Sequence, residues 1–182
     1  MQIRIISGTH KGRRIKAPKN LPVRPTTDRA KEALFNILHH QLFIPGLKIL
    51  DLFAGSGNIS YEFASRGTKN ITAVDKNYQA VKFINQTAKL FGFSIKTIKK
   101  DVFKFLEKTG DSYQFIFADP PYDMDKDLQT ELIDLIFSED LLQDDGIFVL
   151  EHIEHLDFSG HKNFDFSRKY GLTVFSFFTA KK

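Results

Sequence analysis

The amino-acid sequence predicts an α/β fold with a mostly parallel sheet, and three observations support this prediction. Five apolar, β-rich runs alternate with segments of helical periodicity. The first three runs start 22 and 24 residues apart, which leaves room for a strand and a crossover helix. A chain of 182 residues also suits one such domain with a small extension. The five runs are Lys48–Phe53, Asn70–Val74, Ser94–Ile98, Gln114–Ala118 and Ile147–Glu151.

Helices are predicted between these runs and ahead of the first one. Thr27–Leu42 begins with a Thr-Asp capping signal and continues with one apolar face, so it predicts a helix that is extra to the alternating units. Two later segments repeat apolar residues at helical intervals, which predicts crossover helices with one buried stripe each. Those stripes are Val81, Ile84, Ala88 and Phe91, and Leu128, Leu132, Leu135 and Ile136.

Both ends of the chain predict antiparallel pairs. Gly8 and Gly12 frame a turn between Ile3–Ile6 and Arg13–Ile15, which is typical of a small β-hairpin. At the other end, alternating aromatic segments predict two adjacent strands that close one edge of the sheet. Those segments are Asn163–Arg168 and Leu172–Thr179.

Charge is distributed unevenly along the chain. Residues 1–27 contain seven Lys or Arg and no Asp or Glu, so they carry +7, and the net charge of +4 leaves −3 for the remainder. A basic arm on a slightly acidic body indicates a polyanionic partner, although a solvated basic tail has the same composition. The predicted hairpin favours an ordered binding arm, so we expect an arm over residues 1–25 and a catalytic domain over 26–182.

Composition excludes several other classes of protein. No apolar run approaches the roughly 20 residues of a membrane span, and the N-terminus has no signal-peptide core. There is no Cys, and the six His have no ligand spacing. We therefore expect a cytoplasmic protein without a disulfide or a metal site.

A glycine-containing turn follows the first strand. Asp51–Asn58 leads into a predicted helix over Ile59–Arg66, and glycines at such a turn let a ligand approach the backbone. Gly55 and Gly57 fit the dinucleotide pattern G-x-G-x-x-G, whereas its third position is Ser60. The Asp51 carboxylate would repel a pyrophosphate, so we expect a cationic or zwitterionic ligand.

Two further acids end the next two strands. Asp75 lies 24 residues after Asp51, where nucleotide-binding folds place the acid that accepts the ribose hydroxyls. Asp101 could accept from an adenine amino group, although each acid alone could instead cap a helix. Three acids and two glycines on one rim together suit S-adenosylmethionine. The expected cofactor residues are Asp51, Phe53, Gly55, Gly57, Asp75, Asp101 and Val102.

The fourth strand ends in Asp119-Pro120-Pro121-Tyr122, the candidate catalytic motif. Two prolines after a buried run form a rigid corner whose carbonyl groups remain free to accept hydrogen bonds. Asp119 and the Pro120 carbonyl could accept hydrogen bonds from both N–H groups of an aromatic amine and so direct its lone pair toward a methyl sulfonium. Tyr122 could stack on the base. Positioning then supplies most of the rate.

These motifs resemble those of the class I, S-adenosylmethionine-dependent amino-group methyltransferases. The segments Ile5–Ile15 and Leu21–Leu38 look like the RsmD family, bacterial methyltransferases that modify N2 of a guanine in 16S ribosomal RNA. The resemblance implies a Rossmann-like, mostly parallel seven-stranded sheet with helices on both faces and an antiparallel C-terminal pair. Phe is common in that family at the position of Tyr122, and either ring can stack. By the resemblance, Asp51, Gly55, Gly57, Asp75 and Asp101 take cofactor positions, and Asp119, Pro120, Pro121 and Tyr122 form the catalytic motif.

Under this interpretation the basic arm becomes a phosphate clamp for structured RNA. The implied partner is 16S rRNA in a small ribosomal subunit or an assembly intermediate. Arg24, Thr26 and Arg29 lie where the arm meets the core, and we expect them near the cofactor or the target base. The expected RNA-binding residues are Lys11, Arg13, Arg14, Arg24 and Arg29.

Four alternatives stay open at this point. An adenine-N6 methyltransferase shares the D-P-P-Y motif, but the 68 residues between Asp51 and Asp119 leave no room for its usual recognition region. A protein-glutamine methyltransferase usually has Asn in place of Asp119. A non-catalytic RNA-binding module would not need intact acids. A nicotinamide-dependent dehydrogenase would be expected to have the third glycine.

Overall fold

The computed structural model describes residues 1–21 and 26–180. Its secondary structure consists of nine strands, five α-helices and one short 3₁₀ helix over those residues. The strands are β1 (Gln2–Arg4), β2 (Arg14–Lys16), β3 (Lys48–Leu52), β4 (Asn70–Asp75), β5 (Ile95–Lys99), β6 (Tyr113–Ala118), β7 (Leu142–Ile153), β8 (Phe164–Tyr170) and β9 (Thr173–Phe178). The helices are α1 (Asp28–Gln41), α2 (Asn58–Ser65), α3 (Tyr78–Phe91), α4 (Val102–Leu106), α5 (Lys126–Ser138) and the 3₁₀ helix Ile44–Gly46.

Seven strands form one sheet in the order β5-β4-β3-β6-β7-β9-β8. β3 to β7 pair in parallel, and β9 runs antiparallel to both β7 and β8. The predicted parallel sheet and the predicted C-terminal antiparallel pair are therefore confirmed. Because the chain order reverses at β3, where β4 and β6 flank it, the carboxyl ends of these strands open a crevice there.

β7 differs from its prediction, because it starts at Leu142 and not at Ile147. The added residues Gln143–Asp145 are polar and exposed, so they give no apolar signal. They join the sheet through the pair Tyr113–Leu142, and an irregularity separates that pair from the regular register beginning at Phe115–Ile147. The strand is extended by pairing with β6, and such pairing cannot be predicted from the local sequence.

Helices cover both faces of the sheet. Alternate residues of β6 divide between the faces: Phe115 and Phe117 pack with α1 and α2, whereas Ile116 and Ala118 pack with α4 and α5. The predicted cap of α1 is also confirmed, because the Thr27 hydroxyl accepts a hydrogen bond from the Ala30 N–H at 3.2 Å. Within the described ranges, none of the helices has the length and apolar character needed to cross a membrane.

The N-terminal hairpin is formed by β1 and β2, as predicted, and packs on the domain. Its apolar residues join a buried cluster with α2, β4 and α3. Gly8 in its loop has φ +86°, and a Cβ there would lie 1.9 Å from the Ser65 carbonyl oxygen of α2. Glycine is required at this position because the loop backbone touches the helix directly.

Candidate active site

A cavity of about 620 Å³ opens where β3, β4, β5 and β6 end. It has the size of a typical cofactor or drug-sized ligand site. The structure brings together ten of the residues predicted for the cofactor and for catalysis. These wall residues are Asp51, Phe53, Gly55, Asp75, Asp101, Val102, Asp119, Pro120, Pro121 and Tyr122.

The loop after β3 is held in a left-handed conformation. Phe53 and Gly55 both have φ +55°. A positive φ is unusual for a phenylalanine, and such conformations persist where surrounding contacts enforce them. One such contact is the hydrogen bond from the Gly55 N–H to Asp75 Oδ2 at 2.8 Å. The loop is thereby fixed to the end of the neighbouring strand.

Gly57, which the sequence assigned to the cofactor, does not belong to the cavity wall. Its φ is +80°, and a Cβ would lie 2.6 Å from the Tyr61 ring and 2.9 Å from Ile84. The close approach that this glycine permits is therefore to α2 and α3. Ser60, in place of the third glycine, donates its hydroxyl to Asp51 Oδ2 at 2.6 Å.

Asp51 is a buried carboxyl group in the wall. It is 2 % exposed, and burial raises its pKa to about 7, against the lowering effect of the two Ser60 hydrogen bonds. Asp75 adds to the rise through charge repulsion. A group of this kind is stabilised in its charged form by a nearby cation.

The carboxylates of the two other acids on the rim accept hydrogen bonds from backbone N–H groups. Asp75 accepts from Gly55 N–H through Oδ2 and from Asn77 N–H through Oδ1, both at 2.8 Å. Asp101 caps α4 by accepting from Lys104 N–H through Oδ1 at 3.1 Å. Each carboxylate oxygen has a second lone pair, so helix capping and ligand binding are compatible.

The catalytic motif begins where β6 ends. The Asp119 N–H donates to the Leu52 carbonyl at 3.4 Å, which ties the motif to β3. Burial raises the pKa of Asp119 well above its usual value, and the charges of Glu151 and Asp51 raise it further. Tyr122 is 54 % exposed at the cavity edge, where a flat ligand can reach its ring.

Three polar residues near the motif were missed by the sequence analysis as site residues. Glu151 on β7 is 6 % exposed and acts electrostatically on Asp119. Asn58 lines the cavity, and Gln129 of α5 lies behind the motif. The available signal was the single acid at the end of the apolar run Ile147–Leu150, a buried charge in a strand interior.

Of the residues predicted to bind RNA, the four that the structure describes do not line the cavity. Lys11, Arg13 and Arg14 are exposed on the hairpin, and Arg29 is exposed on the first turn of α1. Arg24 lies outside the described residues. Thr26, which the sequence placed near the cofactor or target base, lines the cavity, as does Leu21 at the base of the hairpin.

The donor set of the cavity fits S-adenosylmethionine. Asp51 is a buried carboxyl group that a nearby cation would stabilise in its charged form, and that cofactor carries a sulfonium and an ammonium group. Asp75 and Asp101 lie on the same wall as acceptors for the hydroxyl and amino groups of adenosine. The fold and this site together define a class I, S-adenosylmethionine-dependent methyltransferase.

The particular family follows from comparison with known proteins. The chain belongs to the family described as Conserved hypothetical protein 95, whose family model matches residues 3–179. The predicted RsmD-type identity is confirmed by relatives of that name. Ribosomal RNA small subunit methyltransferase D of Escherichia coli (strain K12) is 34% identical over 152 residues, covering 82% of this chain and 74% of that protein. The protein of the same name from Haemophilus influenzae is 30% identical over 155 residues, covering 82% and 78%.

Solved structures support the fold over the full chain. A hypothetical protein of Thermus thermophilus has a TM-score of 0.84 at 27% identity, covering 98% of this chain and 99% of that chain. The T. thermophilus 16S rRNA N2 G1207 methyltransferase RsmC was solved with AdoMet and guanosine. It has a TM-score of 0.78 at 17% identity, covering 100% of this chain and 50% of that chain. At that identity RsmC shows a shared fold.

Proposed function

We propose that this protein transfers a methyl group from S-adenosylmethionine to the exocyclic N2 amine of a guanine in 16S ribosomal RNA. The observation that carries the proposal is the Asp119–Tyr122 motif at the cavity edge, with a carboxyl group in the wall and an exposed ring beyond it. The relatives named as small-subunit rRNA methyltransferases support rRNA as the substrate. The guanosine bound to RsmC, which has the same fold, supports guanine as the base.

Bound S-adenosylmethionine supplies an electrophilic methyl group on a sulfonium. The protein's part is to present the amine, whose lone pair is delocalised into the base. The Asp119 carboxylate and the Pro120 carbonyl accept hydrogen bonds from the two N–H groups of the amine, and Tyr122 stacks on the base. This arrangement turns the lone pair out of the base plane and toward the cavity.

Asp119 also disposes of a proton. When N2 gains its new bond to carbon, it must lose one N–H proton, and the Asp119 carboxylate that holds that N–H accepts it. Because its pKa is raised by burial and by two neighbouring carboxyl groups, Asp119 is a stronger base than an ordinary aspartate.

We also propose that RNA contacts two exposed groups of residues. The first is the hairpin, with the exposed cations Lys11, Arg13 and Arg14. The second follows the cavity residue Asn77, where the exposed ring of Tyr78 lies beside Lys99, whose Nζ is 5.8 Å from the ring centroid. Cations with an exposed ring can contact both phosphates and unstacked bases.

The arm over residues 1–25, including Arg24, and the methyltransferase domain over 26–182 remain proposals, with Arg29 at their junction. Substrate in a small ribosomal subunit or an assembly intermediate is part of the same proposal. We also propose a cytoplasmic location, which action on ribosomal RNA supports.

The test is methylation of undermodified small ribosomal subunits and of naked 16S rRNA with tritiated S-adenosylmethionine, followed by nucleoside analysis. We expect N2-methylguanosine from the wild-type protein. Asp119→Ala should lower the rate by about 10²- to 10⁴-fold, because it removes an amine acceptor and the proton acceptor. Donor binding by the variant should remain, since the other wall residues are intact.

Asp123→Ala is the matched control, because Asp123 is exposed in the loop that follows the motif. We expect it to retain wild-type turnover. Label in N6-methyladenosine would replace the proposal with the adenine alternative. Normal turnover by Asp119→Ala would remove the motif from catalysis.

A further inference from the structure

A buried line of polar contacts starts at the N-terminal hairpin. Glu62 of α2 is fully buried and accepts the N–H groups of Ile6 and Ser7 at 2.9 and 3.0 Å. Lys31 of α1, equally buried, lies 3.4 Å from Glu62 and donates to the Arg4 carbonyl at 2.6 Å. The hairpin backbone is thus held by a buried ion pair.

The same line continues to the catalytic motif. Lys31 Nζ also donates to Asn58 Oδ1 at 2.8 Å, and Asn58 Nδ2 donates to the Thr26 carbonyl at 3.1 Å. The Thr26 hydroxyl donates to Glu151 Oε2 at 2.6 Å. Glu151 faces Asp119, which follows the adjacent parallel strand.

Glu151 is placed behind the reacting side of Asp119. Both residues line a cavity of about 10 Å³, a volume near that of one water molecule. Glu151 does not line the large cavity, whereas Asp119 does. A base that enters the large cavity meets Asp119, so Glu151 acts through Asp119.

Keeping two carboxyl groups together in a buried place costs free energy unless donors compensate for it. The Thr26 hydroxyl supplies such a donor, and the backbone carbonyl group of Thr26 accepts a hydrogen bond from Asn58 Nδ2. A core that needed only to fill space would have an apolar residue at position 151, as at Val149. We therefore attribute the charged residue at position 151 to its effect on the neighbouring Asp119 carboxyl group.

We propose that Glu151 is a positioning residue for the methyl-transfer reaction, fixed by the Thr26 hydroxyl and holding the Asp119 carboxyl group toward the large cavity. This inference rests on the proposed function, since it assigns a role at the same site. The hydrogen bonds from Lys31 to Asn58 and from Asn58 to Thr26 fix the position of Thr26. They thereby set the position of the catalytic motif relative to the hairpin.

The first test is Glu151→Gln, which keeps the shape and an oxygen acceptor for Thr26 but removes the charge. Asp119 is faced by Asp51 from β3 and by Glu151 from β7, and both charges raise its pKa. Removing the Glu151 charge lowers the pKa of Asp119, so the acidic limb of the kcat–pH profile should move to lower pH. We expect kcat to fall between about 10- and 100-fold, with an unchanged dissociation constant for S-adenosylmethionine.

Glu154→Gln is the matched control, because Glu154 is exposed three residues further along the chain. It should leave both kcat and the profile as in the wild type. A purely structural role for Glu151 would alter the unfolding temperature without moving the acidic limb. Wild-type kcat and an unmoved limb in Glu151→Gln would overturn the proposal.

The second test is a pair of variants at Thr26, which serves if Glu151→Gln does not fold. Thr26→Val removes the donor with little change in shape, and we expect kcat to fall. Thr26→Ser restores the hydroxyl and should recover most of kcat; equal losses in both variants would contradict the proposal. The assays use whichever substrate the wild-type protein methylates, so a wrong base or RNA would disprove the proposed function without deciding the role of Glu151.

Discussion

At the residue scale, Asp51 shows how a ligand site lowers the stability of its own fold. Its carboxyl group has a pKa of about 7 in the native protein, against an ordinary aspartate value of 3.8. Between these two values the unfolded chain is ionised while the native one is still protonated. Native stability therefore falls as the pH rises from about 4 to about 7, and the loss persists above 7.

Asp51→Asn should remove this loss, because asparagine keeps an oxygen acceptor for Ser60 and has no charge to bury. We expect the variant to be more stable than the wild type at pH 8 by about 2–4 kcal/mol and nearly equal to it below pH 4. Urea unfolding at both pH values, without donor, measures the difference. Asp144→Asn, at an exposed position, should change stability by less than about 0.5 kcal/mol. Equal stability of Asp51→Asn and wild type at pH 8 would show that burying the Asp51 charge does not destabilise the native protein.

Gly57 gives a second prediction at this scale. Gly57→Ala would force a Cβ into the Tyr61 ring at a positive φ, so we expect a loss of stability of about 1–3 kcal/mol. Gly92→Ala is a suitable control, since its φ is also positive, at +69°, but nothing lies within 4 Å of the added Cβ. Thermal unfolding of the two variants separates the clash from the backbone strain. If Gly92→Ala is as destabilising as Gly57→Ala, the contact with Tyr61 contributes nothing.

At the element scale, the hairpin should carry a measurable part of the electrostatic binding of RNA. Arg13→Ala with Arg14→Ala removes two exposed cations, so the slope of log K against log salt should become shallower by about 1–2. The control is Lys82→Ala with Lys89→Ala, which removes the same charge from exposed positions on α3. Binding of 16S rRNA fragments measured between low and physiological salt gives both slopes. Identical slopes for the two double variants would exclude the hairpin as a phosphate clamp.

The elements themselves were largely predictable because their signals are local. The parallel strands, the cap at Thr27 and the hairpin all follow from periodicity and turn residues within a few positions of each other. The polar partners were not predictable, since Lys31 meets Glu62 and Thr26 meets Glu151 only after α1, α2 and β7 are assembled. In the sequence, Lys31 looks like an exposed lysine on a helix.

The same contrast applies to the candidate site. The order of the acids Asp51, Asp75 and Asp101 along the chain predicted one wall, because parallel strands end at one edge. Gly57 was assigned to the ligand because its motif is shared by cofactor loops, and that assignment stays a prediction. The structure shows that Tyr61 and Ile84, from two helices, also lie close to this glycine. These neighbours could not be predicted from the sequence.

At the scale of the whole molecule, the negative character of the cavity predicts a pH-dependent affinity for the donor. A sulfonium favours the ionised form of Asp51, so binding should tighten as the pH rises through about 7 and should release protons. Calorimetry in two buffers of different ionisation enthalpy detects the release. S-adenosylhomocysteine has the same tail without the sulfonium, and its affinity should depend less on pH. If the affinities of the two ligands depend equally on pH, the sulfonium does not interact with the carboxyl group of Asp51.

Leu21 gives the molecule a property that neither of its parts has alone. This side chain belongs to the apolar cluster beneath the hairpin and also to the wall of the large cavity. A ligand that moves Leu21 through the hairpin would also change the donor site, and the factor by which RNA changes donor affinity would then equal the factor by which donor changes RNA affinity. An equilibrium constant for either ligand is complete only when the concentration of the other is stated.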